Sequence, residues 1–425
     1  MRQRGLSQSA GRSRWPVVVA GALLLAQAIV PAAWAQAGEG SDGRSGAVSS
    51  ASPLAVAQSP EQRLIAVYRL IGEARLGEAL EQADALVREV PNFRLAHLVR
   101  GDLLTARRGA LSGFAGGVTQ TAPGASDLDQ QVEQMRQEAT LRLRALQDMP
   151  PPGTVPRQFV MLPASTTHAI AVDAARSRLY LFEHRSGRLA LLESHYVSIG
   201  RAGVDKRVEG DQRTPLGVYF ITSKLSDKQL KDFYGAGALP LNYPNEYDRR
   251  IGRTGSGIWL HGVPSESYAR APRETDGCVV LANDDLRRIM GIVRARQTPV
   301  VIAERIDWVA PDSLDGERRQ VLALLEGWRG ARWDPSRAAD FYATSLTDDD
   351  KAQASRVSPE RLFKTSRPRP TQLKEVSILA WRDGRDLLVV TFGEVPQGAR
   401  SGAVLRQYWA HDGNGWKIVY EGVVG

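Results

Sequence analysis

The chain has 425 residues, 43% of them apolar and 24% charged, with a formal charge of +8. Those proportions are ordinary for globular protein, and the length allows two or three domains. One cysteine excludes an intramolecular disulfide. Four of the positive charges, Arg2, Arg4, Arg12 and Arg14, lie in the first fourteen residues, so charge is a weak argument for nucleic acid.

Those arginines precede an apolar run over 17–30 and the small-residue stretch Ala33-Trp34-Ala35-Gln36. This order reads as a secretory signal peptide over 1–35. The alternative is an uncleaved anchor, for which the apolar run is short. Removing the four arginines from the formal +8 leaves 390 residues at +4, a mildly basic exported protein suited to an anionic cell-envelope polymer. Residues 36–58, rich in Gly, Ser and Ala, read as a linker.

Ser59-Pro60-Glu61 opens a helix with Ser59 as N-cap. A second helix starts at Leu76 and stops before Pro91, and a third covers 93–106. Gly77, Ala79, Leu80, Ala83, Pro91, Phe93 and Ala96 are arranged as in a tetratricopeptide-type helix pair, of which one copy is visible. The expectation is a helical module over 59–149 that contacts other cell-wall proteins or dimerises, or else a helical cap. A helix over 126–147 carries Leu128, Val132, Met135, Ala139, Leu143 and Leu146 on one face, and Met149-Pro150-Pro151-Pro152-Gly153 closes the module.

From Gln158 the period shortens. Strand-like runs cover 159–162, 169–172, 178–182 and 195–199, and Gly217-Val218-Tyr219-Phe220-Ile221 enters another. Residues 222–256 are polar and glycine-rich, which predicts a lid or binding loop. Asn283 is expected to N-cap a helix reaching about Arg296, and Pro299 to Ala303 to close the region as a strand. Beyond 313 a helical stripe of Val321, Leu324, Leu325 and Trp328 precedes four strands. Asp412-Gly413-Asn414-Gly415 forms the last turn, which predicts an α+β domain over 313–425.

The chemistry concentrates at Gly257-Ile258-Trp259-Leu260-His261-Gly262 and Thr275-Asp276-Gly277-Cys278-Val279-Val280. Cys278 lies seventeen positions after His261. Alternation places Trp259 and His261 on one strand face. A thiolate is the reactive form of cysteine, and an imidazole on a neighbouring strand can take its proton and later protonate a leaving amine. A lone cysteine is otherwise most often a small buried hydrophobe. His168, His184 and His195 lack metal-ligand spacing, and no phosphate loop or dinucleotide fingerprint is present, so no metal or cofactor is expected.

His261-Gly262 followed by Thr275-Asp276-Gly277-Cys278 resembles the signature of the L,D-transpeptidase (YkuD-type) catalytic domain. The run Gly210, Thr214-Pro215, Gly217 and Tyr219 resembles its second hallmark, and the likeness covers about 158–305. It implies a multidomain protein: helical module, mainly-β catalytic domain and C-terminal α+β domain. The last, ending Trp409…Trp416-Lys417, is similar to nuclear transport factor two-like (SnoaL-like) domains. The resemblance implies Cys278 as acylated nucleophile and His261 as general base and acid. Thr275 would help orient the histidine, with Gly277 and Gly262 as supporting turn residues. The substrate would be the peptidoglycan stem peptide, attacked at its third residue with loss of the terminal D-alanine. An amine acceptor would give 3–3 cross-links or protein attachment, whereas water would make the protein an L,D-carboxypeptidase. Either activity would act in the periplasm, in cell-wall organisation and cell shape. The chain departs from the family at Asp276, and at Val280 where many members carry arginine or asparagine. Arg253, Arg270 or Arg273 is therefore a candidate for holding a substrate carboxylate, with Arg253, Tyr243 and Asp276 as the candidate substrate-binding set. A non-catalytic wall-binding scaffold is the rival of another class.

Overall fold

A computed structural model describes residues 58–107, 125–343, 370–413 and 415–424. The segments read as signal peptide and linker, up to residue 57, and Asn414 of the last turn lie outside the described residues. The chain divides into two compact units, with boundaries at 91–95 and at 125–126. Among the described residues no helix is long and apolar enough to cross a membrane.

The first unit is helical. α1 (Pro60–Gly72) starts where expected: the Ser59 hydroxyl accepts from Gln62 N–H while the Gln62 side chain returns to the Ser59 N–H, a reciprocal cap. α2 (Leu76–Glu89) buries Ala79, Leu80, Ala83 and Leu86 at helical spacing, and α3 (Arg94–Ala106) buries Leu95, Ala96, Val99 and Leu103.

The second unit begins with α4 (Ala125–Gln147). Val132 and Ala139 are buried in it, as is an ion pair from Arg142 to Glu138 at 2.8 Å. Its strands follow in order: β1 (Val155–Pro156), β2 (Phe159–Met161), β3 (His168–Asp173), β4 (Arg178–Arg185), β5 (Arg188–Tyr196), β6 (Ile199–Gly200), β7 (Gly217–Phe220), β8 (Leu225–Ser226) and β9 (Gly237–Pro240). The short helix α5 (Glu246–Arg250) leads to β10 (Trp259–His261), β11 (Arg273–Thr275), β12 (Val279–Val280), α6 (Asn283–Ile292), β13 (Pro299–Ala303) and β14 (Trp308–Val309). The C-terminal part contains α7 (Asp315–Ala331), α8 (Pro335–Ala339), β15 (Thr371–Asp383), β16 (Arg385–Pro396), β17 (Ala403–His411) and β18 (Trp416–Val423).

A five-stranded sheet in the order β5-β4-β3-β13-β7 organises this unit. The predicted closing strand β13 is inside it, parallel to β3 and antiparallel to β7. β3, β4, β7 and β13 are buried at consecutive positions because both faces are covered. Ile170, Val172, Leu179, Leu181, Val300 and Ile302 face a core shared with Leu260, Val279 and Leu286. Their neighbours Ala169, Ala171, Tyr180, Phe182 and Val301 face a second core with Leu379, Leu387, Val389 and Tyr408 of the C-terminal sheet. That sheet, ordered β18-β17-β16-β15-β2, takes in β2, which lies more than 200 residues before β15 in the chain. Its other face buries Ile378, Val390, Phe392 and Trp409 against Val321, Leu325 and Trp328 of α7.

Four local expectations are corrected. β5 is a full edge strand from Arg188, in which Ala190 and Leu192 face outward and are exposed while Leu189 and Leu191 are half-buried. The 222–256 stretch is not one irregular lid: it contributes β9, whose Ala238 and Leu239 are fully buried, and α5. Asn283 is the first residue of α6 and Ala282 its cap. α6 ends at Ile292, so Arg294 and Arg296 lie beyond its last turn.

Candidate active site

A small sheet ordered β12-β10-β9-β8 carries the site. β10 runs parallel to β12, with Leu260 opposite Val279 and His261 opposite Val280. One step back along that register sets Cys278 beside Trp259. Cys278, Trp259 and His261 therefore share a face, because alternate residues of a strand point the same way.

Four hydrogen bonds through two threonine hydroxyls fix the turn before Cys278. The Thr275 hydroxyl donates to Cys278 O at 2.7 Å and accepts from Gly277 N–H at 3.1 Å. The buried Thr214 hydroxyl donates to Gly277 O at 2.9 Å and accepts from Gly200 N–H at 2.9 Å. Gly277 has φ +127°, and a Cβ there would sit 2.6 Å from Arg213 O, so no other residue fits without backbone movement. The upstream Thr214-Pro215 run thus abuts the cysteine turn directly. Thr275 builds that turn and does not orient the imidazole: His261 Nδ1 instead meets Gly262 O at 2.7 Å.

His261 is 1% exposed, under the rings of Tyr234 at 5.1 Å and Phe233 at 5.9 Å between centroids. Asn283 clamps the two loops around it. Its Oδ1 accepts from Ala236 N–H at 2.9 Å and Val263 N–H at 3.2 Å, and its NH2 donates to Val263 O at 2.9 Å. Gly262 is required here, since a Cβ would land on Asn283 Oδ1. The roles of Thr214, Asn283, Phe233 and Tyr234 are not legible from the residues alone. The only advance signal was the Thr214-Pro215 hallmark.

Burial holds His261 down at about 4, helped by the positive field of Arg270 and opposed by the Gly262 hydrogen bond. The Cys278 thiol has intermediate exposure and is a donor to Gly257 O at 3.3 Å. Burial pushes its pKa up, and Asp276 adds to that, while the Trp259 backbone and Arg270 pull it down. At neutral pH the pair rests as neutral thiol and neutral imidazole. Proton transfer must then accompany attack on a bound carbonyl, as general-base catalysis allows.

The candidate substrate-binding residues fare differently. Arg253 is buried and engaged by Asp248 at 3.1 Å, Asp383 at 3.0 Å and Asp205 at 3.3 Å, so it is held as a structural cation among three aspartates. Tyr243 is also corrected: it is 5% exposed in the core, its hydroxyl on Thr254 O at 3.1 Å. Asp276 is exposed beside Cys278 and pairs with Arg201 at 2.8 Å. Arg270, half-buried, places its guanidinium 4.6 Å over the Phe233 ring, within electrostatic reach of both His261 and Cys278. Arg273 is exposed on β11. Val280 is buried opposite His261 and exchanges two 2.9 Å backbone hydrogen bonds with Ser198.

The other histidines serve local structure. His168 and His184 meet Thr167 Oγ1 and Thr166 O, while His195 lies between Glu193 at 2.9 Å and Asp285 at 3.3 Å. Among the described residues no group of three His, Cys, Asp or Glu is placed to hold a metal.

A thiol in a clamped turn, on one face with a buried imidazole of the parallel neighbouring strand, is an arrangement suited to acyl transfer. Residues 167–302 match the family model of the L,D-transpeptidase catalytic domain, YkuD, and the chain carries that domain. The structure of Bdellovibrio bacteriovorus Bd1075 is similar at 25% identity and a TM-score of 0.52, over 64% of this chain and 98% of its own. The helical cell shape determining protein Pgp2 of Campylobacter jejuni is similar in fold at 21% identity and a TM-score of 0.51, over 62% of this chain and 95% of its own. No curated protein matches.

Proposed function

We propose that this protein is a periplasmic cysteine L,D-transpeptidase of peptidoglycan stem peptides. The observation that carries the reading is the Cys278 turn, held by Thr275 and Thr214 on the same strand face as His261. Cys278 Sγ attacks the carbonyl of the third stem residue as His261 takes the thiol proton. The C–N bond to the terminal D-alanine breaks, and the imidazolium returns the proton to the departing amine. An acceptor amine then attacks the thioester, gives a proton to His261 and releases the thiol.

A second reading, L,D-carboxypeptidase, uses the same acyl-enzyme with water as acceptor. It is favoured by Val280, whose apolar side chain is buried where many relatives of this domain carry a polar group. The fold likeness to a helical cell shape determining protein, which spans more than the catalytic domain, supports a role in cell shape under either reading. The sheet-and-helix layering of the C-terminal part is compatible with a nuclear transport factor two-like domain. The helical module remains the candidate contact for other cell-wall proteins.

Purified tetrapeptide muropeptides test the assignment. Release of D-alanine with cross-linked dimers is expected of the transpeptidase. Tripeptide monomer as sole product assigns the carboxypeptidase. D-Alanine release by a Cys278→Ala variant would remove the role given to that thiol, and none by the wild type would remove the catalytic reading and leave a wall-binding scaffold.

A further inference from the structure

A cavity of about 260 Å³ opens between β7 and the C-terminal sheet, within the second unit. Its wall includes Arg406, Arg296, Glu246, Asn242, Phe220 and Tyr420. None of these residues belongs to the Cys278 site.

Arg406 is 6% exposed, and its guanidinium lies 3.7 Å over the Phe220 ring. Its Nε donates to Thr391 Oγ1 at 3.0 Å. No described residue accepts from its four remaining N–H groups, and among the described residues no carboxylate pairs with it. A buried cation is normally matched by an anion or fully hydrogen-bonded. Two buried arginines of this unit follow that rule, Arg253 with three aspartates and Arg142 with Glu138.

The exposed Arg296 adds a second cation at the wall. Its backbone sits at φ +65° and its N–H donates to Ile221 O at 2.6 Å, so it is anchored at the cavity. Glu246, the acidic group there, is occupied: its Oε2 accepts from Tyr408 at 3.3 Å and its Oε1 faces Arg249 at 3.5 Å. Asn242 uses its Oδ1 on the Phe220 N–H at 2.7 Å, which leaves its NH2 as a further donor. The wall therefore offers an excess of donors and positive charge around a space sized for an amino-acid-like group.

We propose that this cavity binds a small carboxylate, held by the planar fork of Arg406 with Arg296 at the rim. A fork of parallel N–H groups matches the two oxygens of a carboxylate. The proposal does not depend on the chemistry at Cys278.

The test titrates N-acetylalanine and its uncharged amide into the full chain by ligand-observed NMR. The acid is expected to bind saturably and the amide roughly tenfold more weakly or worse. Arg296→Ala should weaken the acid several-fold and Arg406→Gln should abolish its binding. If Arg406→Gln does not fold, Arg296→Ala decides alone. Equal binding of acid and amide, no saturable binding of the acid, or wild-type affinity in the deciding variant overturns the proposal. So does tighter binding of inorganic phosphate than of the acid. Binding at the Cys278 site would be untouched by either substitution and so would count against it.

Discussion

Thr214→Val tests whether the upstream hallmark acts by fixing the nucleophile turn. The substitution keeps the side-chain shape and removes one hydroxyl from a fully buried position. Two 2.9 Å hydrogen bonds disappear, leaving the Gly200 N–H without its acceptor and the Gly277 carbonyl without its donor. Two lost bonds with buried, orphaned partners amount to about 2–4 kcal/mol. Because Gly277 immediately precedes Cys278, the freed carbonyl lets the sulfur shift. A displacement near 1 Å lowers turnover by about a hundredfold. Urea denaturation followed by tryptophan fluorescence measures the first effect, and D-alanine release from muropeptides the second. Hydrogen exchange at the Gly200 amide adds a site-specific readout, expected to accelerate by about tenfold or more. Thr214→Ser should restore all three. A Thr214→Val protein within about 0.5 kcal/mol of wild type, with unchanged Gly200 exchange and turnover, would refute the reasoning.

Burial of His261 has a pH signature. Its pKa drops from the ordinary 6.5 to about 4 in the folded protein, so between those values the unfolded chain binds more protons. Stability should fall as pH drops through that window, by about 3 kcal/mol in all, and His261→Gln should lose that share of the dependence. Parallel stability profiles for the two proteins would contradict it. Gly262→Ala should lower the melting temperature and D-alanine release together, since its Cβ meets the clamped Asn283; about 1–3 kcal/mol is expected from such overpacking. Gly77→Ala is the contrasting control: with nothing within 4 Å in α2, it should stabilise its helix by about 0.5–1 kcal/mol. A Gly262→Ala protein that melts with wild type would remove the steric argument.

The candidate catalytic pair was legible because its signals are local. Glycines mark the turn, a short alternating run marks β10, and a lone thiol stands out in any composition. The helix start at Ser59 and the meander of the C-terminal strands are equally local, set by capping chemistry and period. Asn283 misled for the same reason: as a short polar residue before a helical stripe it resembles a cap, yet its amide is claimed by Ala236 and Val263. β5 begins earlier than the pattern suggested: its apolar residues Leu189 to Leu192 are only half-buried or exposed at the sheet edge, and the polar Glu193-Ser194 follow them before His195.

Sequence by itself determined which residues are chemically suited to act, His261 and Cys278, and the family pattern that pairs them. Tertiary structure alone decided which charges are free to meet a ligand. Arg253 looked available until Asp383, 130 positions away, was brought to it, whereas Arg406 ended in a cavity wall where no described carboxylate forms an ion pair with it. The physical reason is that a side chain's chemistry is fixed by its atoms, but its charge state and availability depend on burial and partners. Those arise only when distant strands pack.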